Sequence, residues 1–263
     1  MAAGFLDRVT PIVLTYNEAP NIARVLDTLS WAGEVVVVDS GSDDGTLDLL
    51  RGYGNVRCLH RPFDTHADQW NFALHETGIG TEWVLALDAD YVATDALVSE
   101  LAALAPETGV GGYRARFRYC VAGIPLRGSV YPPVTVLYRR EAARYVQDGH
   151  TQRVQVAGAV HSLRHPMLHD DRKPLSRWLW AQDRYASLEA AVLLATPWRA
   201  LRTQDRLRRL LVITPWLVPL YCLTVGRGAL DGWPGLHYAL QRGVAEAVLA
   251  LKLIETRIAR GKS

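Results

Sequence analysis

The chain has 263 residues, enough for one large α/β domain with a small appendage. Hydrophobic residues make up 49% and charged residues 21%, which excludes a disordered chain, and a net charge of only +2 gives no reason to expect nucleic acid as a partner. Cys58, Cys120 and Cys222 are far apart and form no CxxC pair, so a disulfide framework or zinc knuckle is not expected and a reducing cytoplasm is.

Met1 to Val9 carries Asp7 and Arg8 and does not read as a signal peptide. Val9 to Thr15 is a short β-branched run closed by the polar Tyr16-Asn17-Glu18. Asn21 to Leu29 has helical spacing through Ile22, Val25, Leu26 and Leu29. Glu34 to Asp39 is a strand without polar alternation, as expected when both faces are buried in a parallel sheet. A polar Gly-Ser-Asp-Asp-Gly-Thr turn and a helix with Leu47, Leu49 and Leu50 follow. Val56 to Leu59 predicts a third strand, Thr65 to Leu74 a third helix, and Trp83 to Leu87 a fourth strand ending at Asp88-Ala89-Asp90. This alternation predicts a doubly wound α/β sheet with right-handed crossovers.

After Gly111 the pattern loosens. Tyr113 to Tyr119 alternates basic residues with others, and Val134 to Arg139 is another strand, so a mixed sheet is expected there. From Leu175 onward the chain reads as helical. Residues 1–174 are therefore expected to form one α/β region, its second half beginning at 111, and 175–263 a helical appendage. Leu210 to Val225 is almost wholly apolar but holds Pro215 and Pro219, which makes it short for a transmembrane helix. Arg199, Arg202, Arg206, Arg208 and Arg209 precede it, and Trp198, Trp216 and Trp233 flank it. Those features predict a segment lying in a membrane interface; the alternative is a helical appendage packed on the catalytic domain or forming a dimer.

Ligands of open α/β sheets bind outside the carboxyl ends of the strands. Three polar clusters fall there: Thr15 to Glu18, Asp39 to Thr46 and Asp88 to Asp90. Asp39 alone could simply cap a turn, but three clusters on one edge are hard to explain by capping. Asp88 and Asp90 stand two residues apart, and such hard oxygen ligands suit Mg²⁺ or Mn²⁺ with diphosphate oxygens and water completing the shell.

The run VVVVDSGSDDGT at Val35 to Thr46, with TYNE at Thr15 to Glu18 and LDAD at Leu87 to Asp90, resembles the family 2 inverting glycosyltransferases. Trp31 to Ser42 and the Q-x-N-F-A-L segment at Gln69 to Leu74 are similar to the lipopolysaccharide-core β-glucosyltransferase-like branch. The resemblance implies a GT-A, Rossmann-like doubly wound mixed sheet with a C-terminal membrane-associating appendage, residues 1–174 being the catalytic domain with 1–110 as its nucleotide-binding half and 111–174 as its acceptor half. It implies a nucleotide-sugar donor, with a uridine nucleotide favoured, and a glycan or lipid-linked acceptor in cell-envelope polysaccharide synthesis. It places Thr15, Asn17 and Glu18 along the nucleoside, Asp39 on the base, Gln69 and Asn71 on the nucleotide, and Asp88 near the ribose or metal. Asp90 is then the direct metal ligand, and His169 in a Leu-x-His-like pattern a further one; a surface histidine before a helix is the competing reading of His169.

Inversion needs a general base. The segment Val146 to Gln152 resembles the family's acceptor loop, with Asp148 first and His150 second as the base, against an ordinary Asp-Gly turn. The sequence departs from many relatives at Trp70, where they carry a basic residue, and at Tyr91 and Gln152, where they carry an acid. The expected place is the cytoplasm, peripheral on the inner face of the membrane. Two rival functions are a nucleotidyltransferase that makes nucleotide sugars, disfavoured by the lack of an N-terminal Gly-x-Gly, and a non-catalytic transferase-like scaffold.

Overall fold

The computed structural model describes residues 4–148 and 151–260, the side chains of Asp148, Thr151 and Arg260 excepted. It divides into two compact units, one of Met1–Gly123 with Tyr131–Arg172, the other of Ile124–Val130 with Lys173–Ser263.

The first unit is built on a mixed sheet. Its elements are β1 (Val9–Thr15), α1 (Ile22–Asp27), β2 (Val35–Asp39), α2 (Thr46–Leu50), β3 (Val56–His60), α3 (His66–His75), β4 (Trp83–Asp88), β5 (Tyr91–Val92), α4 (Asp95–Ala102), β6 (Val110–Ala115) and β7 (Phe117–Val121). After β8 (Ile124–Pro125), which belongs to the other unit, come β9 (Val134–Arg139), β10 (Ala143–Asp148), β11 (Thr151–Val156), β12 (Ala159–Ser162) and β13 (Met167–His169). The large sheet has the order β12-β6-β9-β4-β1-β2-β3. β3, β2, β1 and β4 are parallel, β9 runs antiparallel to both β4 and β6, and β12 is parallel to β6. A second, smaller sheet sets β13 between β5 and β7.

The all-valine β2 shows why an unbroken apolar strand means burial on both faces. Val35 and Val37 join the core formed with Ile22, Val25 and Leu26 of α1 and with Leu97 and Leu101 of α4. Val36 and Val38 join the opposite core with Trp70, Ala73 and Leu74 of α3 and Tyr145 of β10. Side chains alternate across a strand, so one tetravaline run serves both layers. Helix α3 starts where Thr65 accepts a hydrogen bond from the Asp68 amide, one residue inside the expected start.

The Tyr113–Tyr119 alternation resolves into two strands in different sheets, broken at Arg116. Of the segment Val146 to Gln152, the described residues end β10 and begin β11, with Gln147 opposite Gln152. The short β12 and β13 were not visible in the sequence, because their pairing is long-range and their apolar content low.

The second unit is helical: α5 (Leu175–Ala195), α6 (Thr203–Arg209), α7 (Thr214–Leu223) and α8 (Gly232–Arg260). Its core is small, formed by Ala186, Ala190, Leu193, Leu201, Leu249 and Leu253. Among the described residues no helix is long and apolar enough to cross a membrane.

Candidate active site

Register places the acidic cluster. Thr15 at the end of β1 lies opposite Asp39 of β2, and Leu14 lies opposite Asp88 of β4. Asp39 and Asp88 therefore flank the carboxyl end of the central strand, where an open parallel sheet leaves its ligand crevice.

Asp39 is buried and its carboxylate is fully engaged. Oδ1 accepts from the Gly41 and Ser42 amides, each at 2.9 Å. Oδ2 accepts from the Thr15 hydroxyl at 2.9 Å and the Ser42 hydroxyl at 2.5 Å. Gly41 at φ +95° lets the chain fold back over the carboxylate, a conformation that glycine adopts freely.

Asn17 clasps the two loops. It sits in the left-handed region at φ 56°, which asparagine tolerates better than most residues. Its side-chain amide donates to Asp43 at 2.9 Å, its side-chain oxygen accepts from the Asp43 amide at 2.9 Å, and its backbone amide donates to Ser42 Oγ at 2.8 Å. The Glu18 amide donates to Thr46 Oγ1 at 2.8 Å. The TYNE and SGSDDGT segments are thus one hydrogen-bonded assembly.

Gln69 and Asn71 lie on α3 and brace the frame. Buried Gln69 donates to Ser40 Oγ at 3.0 Å and to the Arg61 carbonyl at 3.2 Å, and accepts from the Arg61 guanidinium. Asn71 donates to the Tyr145 carbonyl at 3.0 Å and accepts from the Tyr145 amide at 2.9 Å, tying α3 to β10. Trp70 is buried and stacks on Tyr145, with ring centroids 5.2 Å apart. The residue that replaces a basic side chain in many relatives is a core residue here.

At the end of β4, Asp90 Oδ2 lies 3.2 Å from His169 Nε2. β13 brings the histidine there by pairing with β5, His169 opposite Tyr91, while the Asp170 amide donates to the Asp90 carbonyl at 2.9 Å. His169 is a half-buried residue in an aromatic box, its ring 4.7 Å from that of Tyr131, 4.8 Å from Tyr119 and 5.4 Å from Tyr91. Burial pulls its pKa down, but the neighbouring Asp90 and then Asp88 carboxylates outweigh it and leave the pKa raised. Tyr91, where many relatives carry an acid, is buried against Phe117 and shares a hydrogen bond with the Tyr131 hydroxyl. Burial first, then the Asp88 charge, hold the Tyr91 and Tyr131 phenols protonated.

Sequence reasoning missed Asn21, which fixes the segment after His169. Buried Asn21 donates to Glu18 Oε2 at 2.8 Å and to Asp171 Oδ1 at 2.9 Å, and accepts from the Arg172 amide at 2.8 Å. Arg24 adds a bond to the Asp170 carbonyl at 2.9 Å. The only hint in the sequence was an asparagine at a helix start; its partners 150 residues away were invisible. Tyr119 and Tyr131 were likewise unannounced.

His150 lies outside the described residues, as does the side chain of Asp148, whose backbone ends β10. Arg177 and Arg184 both lie over the Trp180 ring, 4.5 and 5.0 Å from its centroid, on one face of α5.

Asp90 and His169 offer one carboxylate and one imidazole at a single point, a donor pair that Mn²⁺ accepts and that needs further oxygens. Among the described residues no group of three His, Cys, Asp or Glu side chains is gathered for a metal ion. Any cation held here must complete its shell with ligand and water oxygens, as Mg²⁺ and Mn²⁺ do at phosphates.

The glycosyl transferase family 2 pattern matches residues 10–159, more than half of the chain. The chain belongs to glycosyl transferase family 2. It is a glycosyltransferase of the α/β class. It is similar to the lipopolysaccharide core biosynthesis glycosyltransferase LpsC of Rhizobium meliloti (strain 1021), at 27% identity over 69% of this chain and 70% of that one. An uncharacterized glycosyltransferase of Rickettsia bellii (strain RML369-C) is 32% identical over 36% of this chain and 31% of its own length. Among solved structures, S. aureus TarS 1-349 in complex with UDP-GlcNAc overlays with a TM-score of 0.49 at 15% identity, covering 97% of this chain and 92% of that one.

Proposed function

We propose that this family 2 glycosyltransferase moves a sugar from a nucleoside-diphosphate sugar, a uridine nucleotide foremost, onto a glycan or lipid-linked acceptor of cell-envelope polysaccharide. Transfer inverts the anomeric centre and uses Mg²⁺ or Mn²⁺. The enzyme works peripherally at the inner face of the membrane, and lipopolysaccharide core is the acceptor class suggested by the relative LpsC. The observation that supports this most is that Asp39 and Asp88 flank the carboxyl end of β1, with Asp90 and His169 paired just beyond β4. Within it, residues 1–174 act as the catalytic domain and 175–263 as the appendage.

Asp90 and His169 hold the cation, with Asp88 beside them; the cation, when bound, neutralises charge on the departing diphosphate. Thr15, Asn17, Glu18 and the loop closed by Asp39 form the nucleoside wall, braced by Gln69 and Asn71. Asp148, or failing it His150, takes the proton from the acceptor hydroxyl. The family match leaves no observation in favour of the nucleotidyltransferase rival.

The test is thermal stabilisation by a panel of nucleoside diphosphates, with and without Mn²⁺. Ligand at a hundredfold excess over its dissociation constant stabilises the native state by about 2.7 kcal/mol. A Mn²⁺-dependent shift selective for one nucleotide, absent in Asp90→Ala, is the expected result. Folded protein that no nucleotide stabilises would overturn the proposal.

A further inference from the structure

The two units carry opposite charge. The unit of 1–123 and 131–172 has fourteen Lys and Arg against twenty-one Asp and Glu, whereas the unit of 124–130 and 173–263 has fifteen against six. A net charge near neutral thus conceals a strongly basic helical unit. Between Asp205 and Asp231 there is no acidic residue at all.

The same unit leaves its most apolar helix uncovered. Helix α7 packs one side on α8, where Gly243 permits close approach: a Cβ there would sit 2.7 Å from Pro219 and 3.2 Å from the Pro215 carbonyl. Thr214 and Cys222 are buried on that side. On the other side Ile213, Trp216, Leu217, Leu220 and Tyr221 recur at helical spacing, and every one is exposed, Trp216 at 80% and Leu220 at 58%. Helix α8 adds Trp233, at 83% exposure, and the exposed Leu240, Val244, Leu251 and Ile258 at spacings of four and seven. A helix apolar on both sides belongs in a core or in lipid, and among the described residues no element of its own unit covers this face.

Some of the arginine cluster is spent internally. Arg208 pairs with Glu246 at 3.0 Å and Glu189 at 3.4 Å, and Arg206 and Arg209 donate to backbone carbonyls around 194–199. Arg199 and Arg202, before α7 in the chain, and Arg227, after it, remain exposed.

We infer that the outer face of α7, extended by the Trp233–Leu240 end of α8, is a docking surface that seats the helical unit in the interface of an anionic lipid bilayer. This deepens the membrane part of the proposed function and rests on it. Charge decides between the occupants. A second copy docked on this face would bring two basic units together, whereas an anionic leaflet satisfies the apolar stripe and the arginines at once. Two tryptophans at the extreme of exposure fit an interface, where an apolar ring and a polar N–H are both accommodated. The unit lies on the bilayer without crossing it, since no described helix is long and apolar enough to span.

The test is co-sedimentation of the full chain with vesicles of phosphatidylglycerol and phosphatidylcholine, or of phosphatidylcholine alone, beside analytical ultracentrifugation without lipid. Wild type pellets with the anionic vesicles and is released by high salt, and brominated acyl chains quench its tryptophan fluorescence. W216S/L220S, both on the exposed face, lowers partition by about tenfold or more. R199E/R202E, at two exposed arginines, weakens binding to anionic vesicles and so covers the case of a misfolded double serine variant. Protein that stays in solution with anionic vesicles, or a dimer that W216S/L220S dissociates, overturns the inference. The Mn²⁺-dependent nucleotide shift is measured on the same samples. If it persists while vesicle binding fails, the docking surface alone falls; if it is absent while vesicle binding holds, the donor reading alone falls.

Discussion

Replacing Asp39 separates its structural work from any contact with a nucleobase. Asp39→Ala removes the acceptor for four donors: the Gly41 and Ser42 amides and the Thr15 and Ser42 hydroxyls. The hydroxyls can rotate toward other acceptors, but the two amides cannot. A buried donor left without a partner costs about 1–3 kcal/mol. Both amides lie in a part-buried loop, so the lower half of that range applies to each, about 2–4 kcal/mol for the pair. Asp39→Asn keeps an oxygen for both amides and turns an NH₂ toward two hydroxyls that can accept, so its cost is about 1 kcal/mol. Urea unfolding of wild type and both variants, fitted with a common slope, reads these differences directly. Asp39→Ala within about 0.5 kcal/mol of wild type would refute the view that this carboxylate holds the loop. Asp39→Asn then bears on function. If it unfolds nearly like wild type yet loses the nucleotide-dependent shift, Asp39 serves the donor as well as the loop.

Other predictions follow from the same geometry. Asp90→Asn removes the charge that most supports His169⁺, so the His169 pKa falls toward or below its ordinary value; an NMR titration of the ring protons checks this, and an unchanged pKa refutes the pairing. Glu100 accepts from the Arg164 and His165 amides, and although burial opposes ionisation, these bonds hold its pKa below the ordinary 4.5. Its contribution is therefore complete above that ordinary value and is lost as pH falls through the lowered one; Glu100→Gln should flatten stability against pH below the ordinary 4.5. Gly111→Ala puts a Cβ 2.0 Å from the Ala157 carbonyl and forces the β6–β12 edge apart, with an expected loss of about 2 kcal/mol or more in chemical unfolding. Leu85→Ala in the centre of β4 leaves a cavity costing about 2–5 kcal/mol, seen as a lower urea midpoint.

Local pattern made much of this protein legible. β1 and β9 lie where the apolar runs predicted, and β2, β3 and β4 differ by a residue; β1, β2 and β4 are the most legible, because a strand buried on both faces must be apolar throughout. The polar tripeptides closing those strands marked the edge of the sheet, and the TYNE and VVVVDSGSDDGT segments together indicated the family. What the residues could not disclose was long-range pairing. Whether Trp70 faced a ligand or Tyr145 depended on where the β10–β11 hairpin folds back, and that strand pairing leaves little trace in composition. Asn21 gained its role from Asp171 and Arg172, and His169 from β13 being drawn between β5 and β7. The flanking arginines and tryptophans favoured an interfacial segment at 210–225 over a core helix, but the sequence did not show which of its faces is covered. Only tertiary packing decided that Gly243 takes the proline side of α7 and leaves Trp216, Leu217 and Leu220 outward, because hydropathy counts apolar side chains but not the neighbours that cover them.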